Sequence, residues 1–320
     1  MKSILILTHE GDPHAESVCK YFENKDVKYF RVDVDNLIGN YSVTFDSNSG
    51  LFLISDTKRT ISVDNQWNIW NRRMVDPILP QDVPKELEGI VFTETKKTLE
   101  GLLFSHKGKV VNRPQANFGA NNKIEQLKFV REYGNGIYIP ETLVTNNPTE
   151  LHKFYKNHPK ICHKLQKVAL VLEEGSDRTL VTYTNLVNDD HMQNAGLIVR
   201  NPSFFQEYIE KKVELRITAL ESEVIGIAIH SQDSEQSKID FRRYDFDNVT
   251  YEKVELPSHV EKFCKDLLNN YGLSFGEIDM ILTPEEKYVF LELNPNGQWL
   301  WLELKSGYNL TKSVAENLLS

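Results

Sequence analysis

The chain has 320 residues, with 37 Lys and Arg against 46 Asp and Glu for a formal net charge of −9, and 40% of it is hydrophobic. That length allows about two or three packed units at roughly 100 to 200 residues each, the composition excludes a disordered chain, and the acidic balance leaves no footprint for nucleic acid, so an anionic ligand has to be captured by local Arg and Lys. Apolar stretches fall far short of the roughly 18 to 20 residues of a bilayer span, and no signal-peptide pattern follows Met1; with Cys19, Cys162 and Cys264 as three lone thiols, a soluble, unprocessed cytoplasmic protein without a membrane partner is expected.

Periodicity orders the elements. Residues 3–7 read as an apolar strand, after which Asp12 can cap and Pro13 can open a helix running to about Asn24. With a strand at 27–32 this predicts a parallel α/β layer, extended by hairpin strands between Tyr41 and Trp70. A helix over 85–106 and a strand at 109–112 complete an N-terminal unit, 1–114. The central unit, 115–200, opens with a helix over 117–133 stopped by Gly134-Asn135-Gly136. Strands follow at 141–145, 161–165, 169–173 and 179–184, with a helix from Pro148 to about His158. The C-terminal unit, 201–320, carries strands at 204–209, 213–220 and 224–229, a helix over 258–271, a hairpin over 278–293 and two terminal helices. The expected class is α/β (α+β), with a mostly antiparallel second half.

The sharpest chemical signal is the hairpin from Asp279 to Gly297. Val289, Leu291 and Leu293 alternate onto one strand face and leave Glu292 and Asn294 on the other. A four-residue loop over 284–287 pairs Thr283 with Tyr288, and counting outward sets Asp279 opposite Glu292. Like charges in direct opposition destabilise a sheet, so a cation is expected there, either Mg²⁺ shared with phosphate oxygens or none if the hairpin merely faces water. Next, Gln206-Glu207-Tyr208-Ile209 leads through a short link to a strand on which Glu214 and Arg216 share a face, an acid suited to a ribose hydroxyl and a guanidinium suited to a terminal phosphate; an exposed ion pair is the plain alternative. Lys123 opens an amphipathic helix. Lys164 interrupts an apolar strand, where a buried ammonium is costly unless an anion pairs with it.

In this order, Lys123, Lys164, Gln206 to Ile209, Glu214, Arg216, Asp279, Glu292 and Asn294 resemble an ATP-grasp enzyme. The strings Ile69-Trp70-Asn71-Arg72-Arg73, Val111-Asn112-Arg113-Pro114, Ile139-Pro140-Glu141-Thr142-Leu143-Val144-Thr145-Asn146, Ile239-Asp240-Phe241-Arg242-Arg243-Tyr244 and the run from Leu291 to Trp301 narrow the resemblance to the microviridin-type ribosomal peptide maturases, or graspetide synthetases, over nearly the whole chain. The resemblance implies an N-terminal pre-ATP-grasp domain, a central domain and a C-terminal ATP-grasp domain, with ATP and Mg²⁺ between the last two. It further implies nucleotide contacts from Lys123, Lys164, Gln206, Glu207, Tyr208, Ile209, Glu214 and Asn296, metal ligands Asp279, Glu292 and Asn294, a ribosomal precursor peptide as partner, and a homodimer. Asp189, Asp190 and Asn194, in a capped helix start whose acids lack an evident partner, are implied for docking the leader; a solvated cap is the other reading. One departure is that no glycine follows Lys164 before Gly175, so Lys164 and its neighbours have to replace a Gly-rich cover over the phosphates.

The implied reaction transfers the γ-phosphoryl group of ATP to an Asp or Glu side chain of the peptide, and a Thr or Ser hydroxyl or a Lys amine then closes an ω-ester or ω-amide ring. Arg216 is placed to hold the phosphoryl group. Asp240 and Arg242 share a face by the period of two, so Asp240 orients Arg242 toward the carboxylate while Arg243 points elsewhere, unless the two form an idle surface pair. Two rival functions stay open: a ligase joining a small amino acid or amine to a carboxylate, and a silent nucleotide-dependent peptide binder. The segment from His9 to His14 has the wrong spacing for a zincin, no P-loop or GxGxxG string occurs, and Trp299 and Trp301 are expected in the core.

Overall fold

The computed structural model describes residues 2–166, 170–172, 179–181, 183–243 and 245–320. The N-terminal part builds a parallel sheet from β1 (Ser3–Thr8), β2 (Tyr29–Asp33), β6 (Trp67–Asn71) and β7 (Val110–Val111), in the order β2-β1-β6-β7. Ile4 to Leu7 are all fully buried, as a strand covered on both faces requires. Asp12 caps α1 (Pro13–Asn24) by accepting from the His14 N–H, with Pro13 preset in the first turn. A separate antiparallel meander, β3 (Ser42–Asp46), β4 (Leu51–Ser55) and β5 (Thr60–Val63), precedes β6, and α2 (Lys85–Ser105) packs Leu99, Leu102 and Leu103 into the same core as Phe52 and Ile54.

The expected single helix over 117–133 is two, α3 (Pro114–Ala120) and α4 (Lys123–Tyr133). The break is local chemistry: the Asn122 side chain accepts from the N–H groups of Ile124 and Glu125, which ends one helix and caps the next. The middle of the chain forms an antiparallel sheet of β8 (Thr142–Thr145), β9 (Ile161–Lys164), β12 (Asn185–Leu186) and β13 (Ser203–Glu207), covered by α5 (Pro148–Asn157) and α6 (Asp189–Gln193). Because β13 pairs with both β8 and β9, this sheet runs across residue 200, where the sequence suggested a boundary. Between β9 and β12, β10 (Leu170–Leu172) pairs with β11 (Thr179–Val181); residues 167–169 and 173–178 of the segment after Lys164 lie outside the described residues.

The C-terminal sheet is wholly antiparallel, β16-β15-β14-β17-β18, from β14 (Val213–Leu220), β15 (Val224–Ile229), β16 (Tyr251–Val254), β17 (Phe275–Leu282) and β18 (Tyr288–Asn294). On one face α7 (Ser258–Tyr271) buries Val260, Phe263, Cys264, Leu267 and Leu268 at helical spacing. The short helix α8 (Leu300–Ser306) and α9 (Leu310–Leu319) return to the first part of the chain, where Leu310, Val314 and Leu318 join Val18, Phe22 and Trp70 in one core. Asn112 ties the same parts together, its amide donating to the carbonyls of Phe275 and Pro295 at 2.8 and 2.9 Å. Mixed layers of this kind are the α/β (α+β) class expected. Among the described residues no helix is long and apolar enough to cross a membrane, and all three cysteines are free and buried.

Candidate active site

A cleft with about 900 Å³ of open space lies between the middle sheet and the C-terminal sheet. Lys164 and Gln206 to Ile209 line one side, Lys123, Lys211, Glu214, Ile281, Asp279, Leu291 and Glu292 the other, and the segment from Ile239 to Arg242 closes an edge.

The acid row sits on β17 and β18. Asp279 lies opposite Glu292, and Glu277 opposite Asn294. The route to that register differs from the sequence count. Leu282, not Thr283, pairs with Tyr288 around a five-residue loop closed by the Thr283 N–H to the Lys287 carbonyl at 3.0 Å, and a bulge at Leu291 restores the count at Asp279. The bulge also overturns the expected alternation: Phe290 and Leu293 face the core, while Leu291 turns into the cleft beside Glu292.

Arg216 neutralises this row. Its Nη1 donates to both oxygens of Asp279 at 2.7 and 2.8 Å, its Nε to Glu277 at 3.0 Å and its Nη2 to the Gln298 carbonyl at 3.4 Å. Glu277 is fully buried and also accepts from the Thr218 hydroxyl at 2.8 Å; burial outweighs these partners and pushes its carboxyl up to about 7. Burial pushes Asp279 upward too, opposed by Arg216, whose own pKa the two carboxylates raise against burial. Glu292 is held differently. Burial would raise it, but Lys123, 2.6 Å away, with Arg242 and Lys164, brings it down to about 2. Lys123 owes its place to Gln126 one turn along α4, whose amide both donates to and accepts from the backbone of Leu293 at 2.8 and 2.9 Å.

Across the cleft, Lys164 donates to the Gln206 side chain at 2.7 Å, and Gln206 in turn donates to Thr142 at 3.0 Å. Burial lowers the Lys164 pKa. Gln206 is therefore a support for the lysine, while Glu207, Tyr208 and Ile209 line the wall. Glu214 ion-pairs through one oxygen with Lys211, which also donates to the carbonyls of Lys238 and Ile239 at 3.0 and 2.9 Å. The second Glu214 oxygen is buried without a partner among the described residues, and burial raises its carboxyl. An orphaned acceptor in a lysine-lined cleft fits a ligand that brings both hydroxyl donors and phosphate anions. The oxygen donors Asp279, Glu292 and Asn294 suit a hard divalent ion, although Lys123 and Arg216 now hold the two carboxylates. Among the described residues no three His, Cys, Asp or Glu side chains by themselves form a metal cage.

Asp240 and Arg242 do meet, but through a 3₁₀ turn at Phe241–Arg243 rather than along a strand. Arg242 donates from Nε and Nη2 to the two Asp240 oxygens at 2.8 and 2.5 Å, and the Thr184 N–H donates to Asp240 at 2.8 Å. Burial would raise Asp240, yet Arg242 and Thr184 bring it to about 2; Glu292 and Asp279 join Asp240 in raising Arg242, so its charge faces the acid row. Phe241 stacks on Trp301 at 5.8 Å, making that tryptophan a prop for the turn, whereas Trp299 is fully buried in the core. Arg243 turns away to Asn185 at 2.9 Å.

Asn296 offers its carbonyl to Arg72 and Arg73 at 2.9 and 3.0 Å and does not line the cleft. Asp189, Asp190 and Asn194 lie on α6 and its C-cap, away from the cleft lining. Asp189 has a partner the sequence did not reveal, accepting from the Tyr155 hydroxyl at 3.0 Å. Sequence reasoning also passed over Glu277, Thr218 and Lys211. The first two carried a signal, sitting two residues from Asp279 and Arg216 on the same strand faces; Lys211 had none beyond its place three residues before Glu214.

A family model, the MvdD pre-ATP grasp domain, matches residues 3–117. Comparison with curated protein sequences finds no relative. Among solved structures, a RiPP-associated ATP-grasp ligase of Chryseobacterium gregarium, determined with ADP and a leader and core peptide, is 31% identical over 100% of this chain and 97% of its own, with a TM-score of 0.89. The macrocyclases MdnC, bound with precursor peptide MdnA, and MdnB, both of Microcystis aeruginosa MRC, are each 28% identical over 99% of both chains, with TM-scores of 0.84 and 0.77. D-alanyl-alanine synthetase A of Vibrio cholerae, at 13% identity and a TM-score of 0.57, shares the fold alone. With its whole length matched at 31% identity and its first third matched by the family model, the chain belongs to the RiPP-associated ATP-grasp ligases of the microviridin-maturase family.

Proposed function

We propose that this ATP-grasp ligase macrocyclises a ribosomal precursor peptide, and that the cleft described above is where it does so. The observation that carries the reading is the convergence, in one cleft, of the acid pair Asp279 and Glu292, the cations Lys123, Lys164 and Arg242, and the orphaned oxygen of Glu214. In this reading Lys123 and Lys164 take phosphate oxygens, Glu207 to Ile209 flank the base, and the free Glu214 oxygen accepts from a ribose hydroxyl. Asp279, Glu292 and Asn294 would hold Mg²⁺, which when bound would neutralise the phosphates as a Lewis acid, and Lys123, 2.6 Å from Glu292, would then be free to pair with a phosphate.

A peptide Asp or Glu carboxylate oxygen attacks the γ-phosphorus, and ADP leaves. Arg216 and Arg242 balance the charge on the transferring group, with Asp240 fixing Arg242. The hydroxyl of Thr or Ser, or the amine of Lys, next attacks the acyl carbon, loses its proton and expels phosphate, so each ring costs the peptide one water. Asp189, Asp190 and Asn194 we assign to leader docking, to be checked by leader affinity after charge reversal of the two acids. A division at 114, a second one after β13 rather than at 200 because β13 pairs with β8 and β9, the homodimer and a cytoplasmic location complete the proposal.

The test is incubation with ATP, Mg²⁺ and a precursor peptide under mass spectrometry. Loss of one water per ring is expected from the wild type; in Arg242→Ala, ATP still binds and the dehydrated product disappears. Wild-type dehydration in that variant removes Arg242 from the mechanism, and a mass gain on a small acid instead of a loss points to the amino-acid ligase reading.

A further inference from the structure

Arg72 and Arg73 close the C-terminal end of β6, next to the turn that leaves β1. The sheet order β2-β1-β6-β7 reverses direction between β1 and β6, and the crevice outside the carboxyl ends of parallel strands at such a point is where open α/β sheets bind ligands. Two neighbouring arginines there have different fates. Arg72 is buried, its Nη1 donating to the carbonyls of Asn296 and Gly297 at 2.9 Å each and its Nε 3.3 Å from Asp12. Asp12 is already committed, accepting from Thr8 and His14 as well. Arg73 is half-buried and holds a left-handed φ of 47°, a conformation rare outside glycine that clusters at functional sites.

Only the Nε of Arg73 is engaged, donating to the Asn296 carbonyl at 3.0 Å; both terminal amines lack a hydrogen-bond partner among the described residues. Every other arginine around the site has at least one terminal amine in use: Arg72 on Asn296 and Gly297, Arg216 on Asp279, Arg242 on Asp240, Arg243 on Asn185. The loop that Arg73 grips is also gripped by Arg216, which donates to the Gln298 carbonyl, so the two guanidiniums flank one short loop at the end of the acid strand. Burial and the Arg216 charge both lower the Arg73 pKa, opposed by Asp12. A desolvated cation with an unfilled planar fork beside a like charge is matched by a bidentate anion.

We infer that Arg73 binds the substrate carboxylate, the Asp or Glu side chain that is to be activated, and presents it to the cleft from the N-terminal sheet. This rests on the macrocyclase reading for the identity of the carboxylate, but not for the existence of the anion site. Arg72 is the positioning residue behind it, fixing the Asn296-Gly297 carbonyls against which Arg73 is set.

Two experiments decide it. In the first, Arg73→Gln and Arg73→Lys are assayed for dehydration of a precursor peptide, with ATP affinity measured in parallel. Arg73→Gln is expected to raise the peptide KM about tenfold or more, the scale of a charged hydrogen bond, with ATP affinity unchanged and Arg73→Lys partly restoring KM. An unchanged peptide KM overturns the inference, and so does an equal loss of ATP affinity, which marks a collapsed loop. In the second, wild-type protein with Mg²⁺ and ADP is treated with phenylglyoxal and mapped by mass spectrometry. N-acetyl-glutamate methylamide should protect Arg73, and N-acetyl-glutamine methylamide should not. Equal protection, or none from either, refutes a carboxylate site. Should the wild type close no ring in any peptide, the macrocyclase reading falls while the protection experiment still decides the site.

Discussion

Glu277 gives the sharpest thermodynamic test of the acid row. Its carboxyl is fully buried on β17 between Arg216 and Thr218, and its pKa rises from the usual 4.5 to about 7. Holding the proton up to about 7 instead of 4.5 puts a penalty of about 3 kcal/mol on the ionised form. The folded state therefore holds this proton more tightly than the unfolded chain, unfolding releases it, and the Glu277 contribution to stability falls as pH rises from about 4.5 to about 7. Glu277→Gln keeps the shape and an acceptor for Thr218 but cannot ionise. Urea denaturation of both proteins in steps from pH 4.5 to 8 should show the variant gaining on the wild type with pH, by about 3 kcal/mol in all, with the gain levelling off above about pH 7. Parallel pH profiles would refute the reasoning, since they would mean that Arg216 fully compensates the buried charge.

Glu292→Gln should abolish turnover while the thermal midpoint moves by only a few degrees, because the β17–β18 pairing is backbone; normal turnover at limiting Mg²⁺ would remove the metal assignment. Lys164→Met should weaken ATP binding roughly tenfold by calorimetry, since a charged hydrogen bond is lost and Gln206 is left without its donor; an unchanged dissociation constant would return Lys164 to a structural role. Gly297→Ala drives a Cβ into the Cγ and Cβ of Glu277, and since neither atom is the free end of a side chain the cost should be ~1–3 kcal/mol or more. A denaturation midpoint equal to wild type would show that the loop gives way freely.

Short-range periodicity was enough for much of this protein. The strands Val213–Leu220 and Val224–Ile229 and the helix Ser258–Tyr271 stand where alternation and helical spacing set them, because backbone geometry alone decides which residues share a face. The same period put Glu214 with Arg216, while Asp279 came opposite Glu292 because a one-residue longer loop and a one-residue bulge offset each other. It failed where one residue changes the count. The bulge that turns Leu291 into the cleft inserts one unpaired residue into β18, and the Asn122 side chain caps a new helix where the apolar spacing runs on without a break. The partners of the charges were beyond reach for a different reason. Arg216 meets Glu277 and Asp279 across strands about 60 residues apart in sequence, and Arg72 meets Asn296 across the separation between the first sheet and the last loop. No local preference encodes such contacts. They exist only once burial of the common core has closed the long loops between them, and that closure, rather than any motif, decides that Arg216 pairs with the acid row while the terminal amines of Arg73 stay open among the described residues.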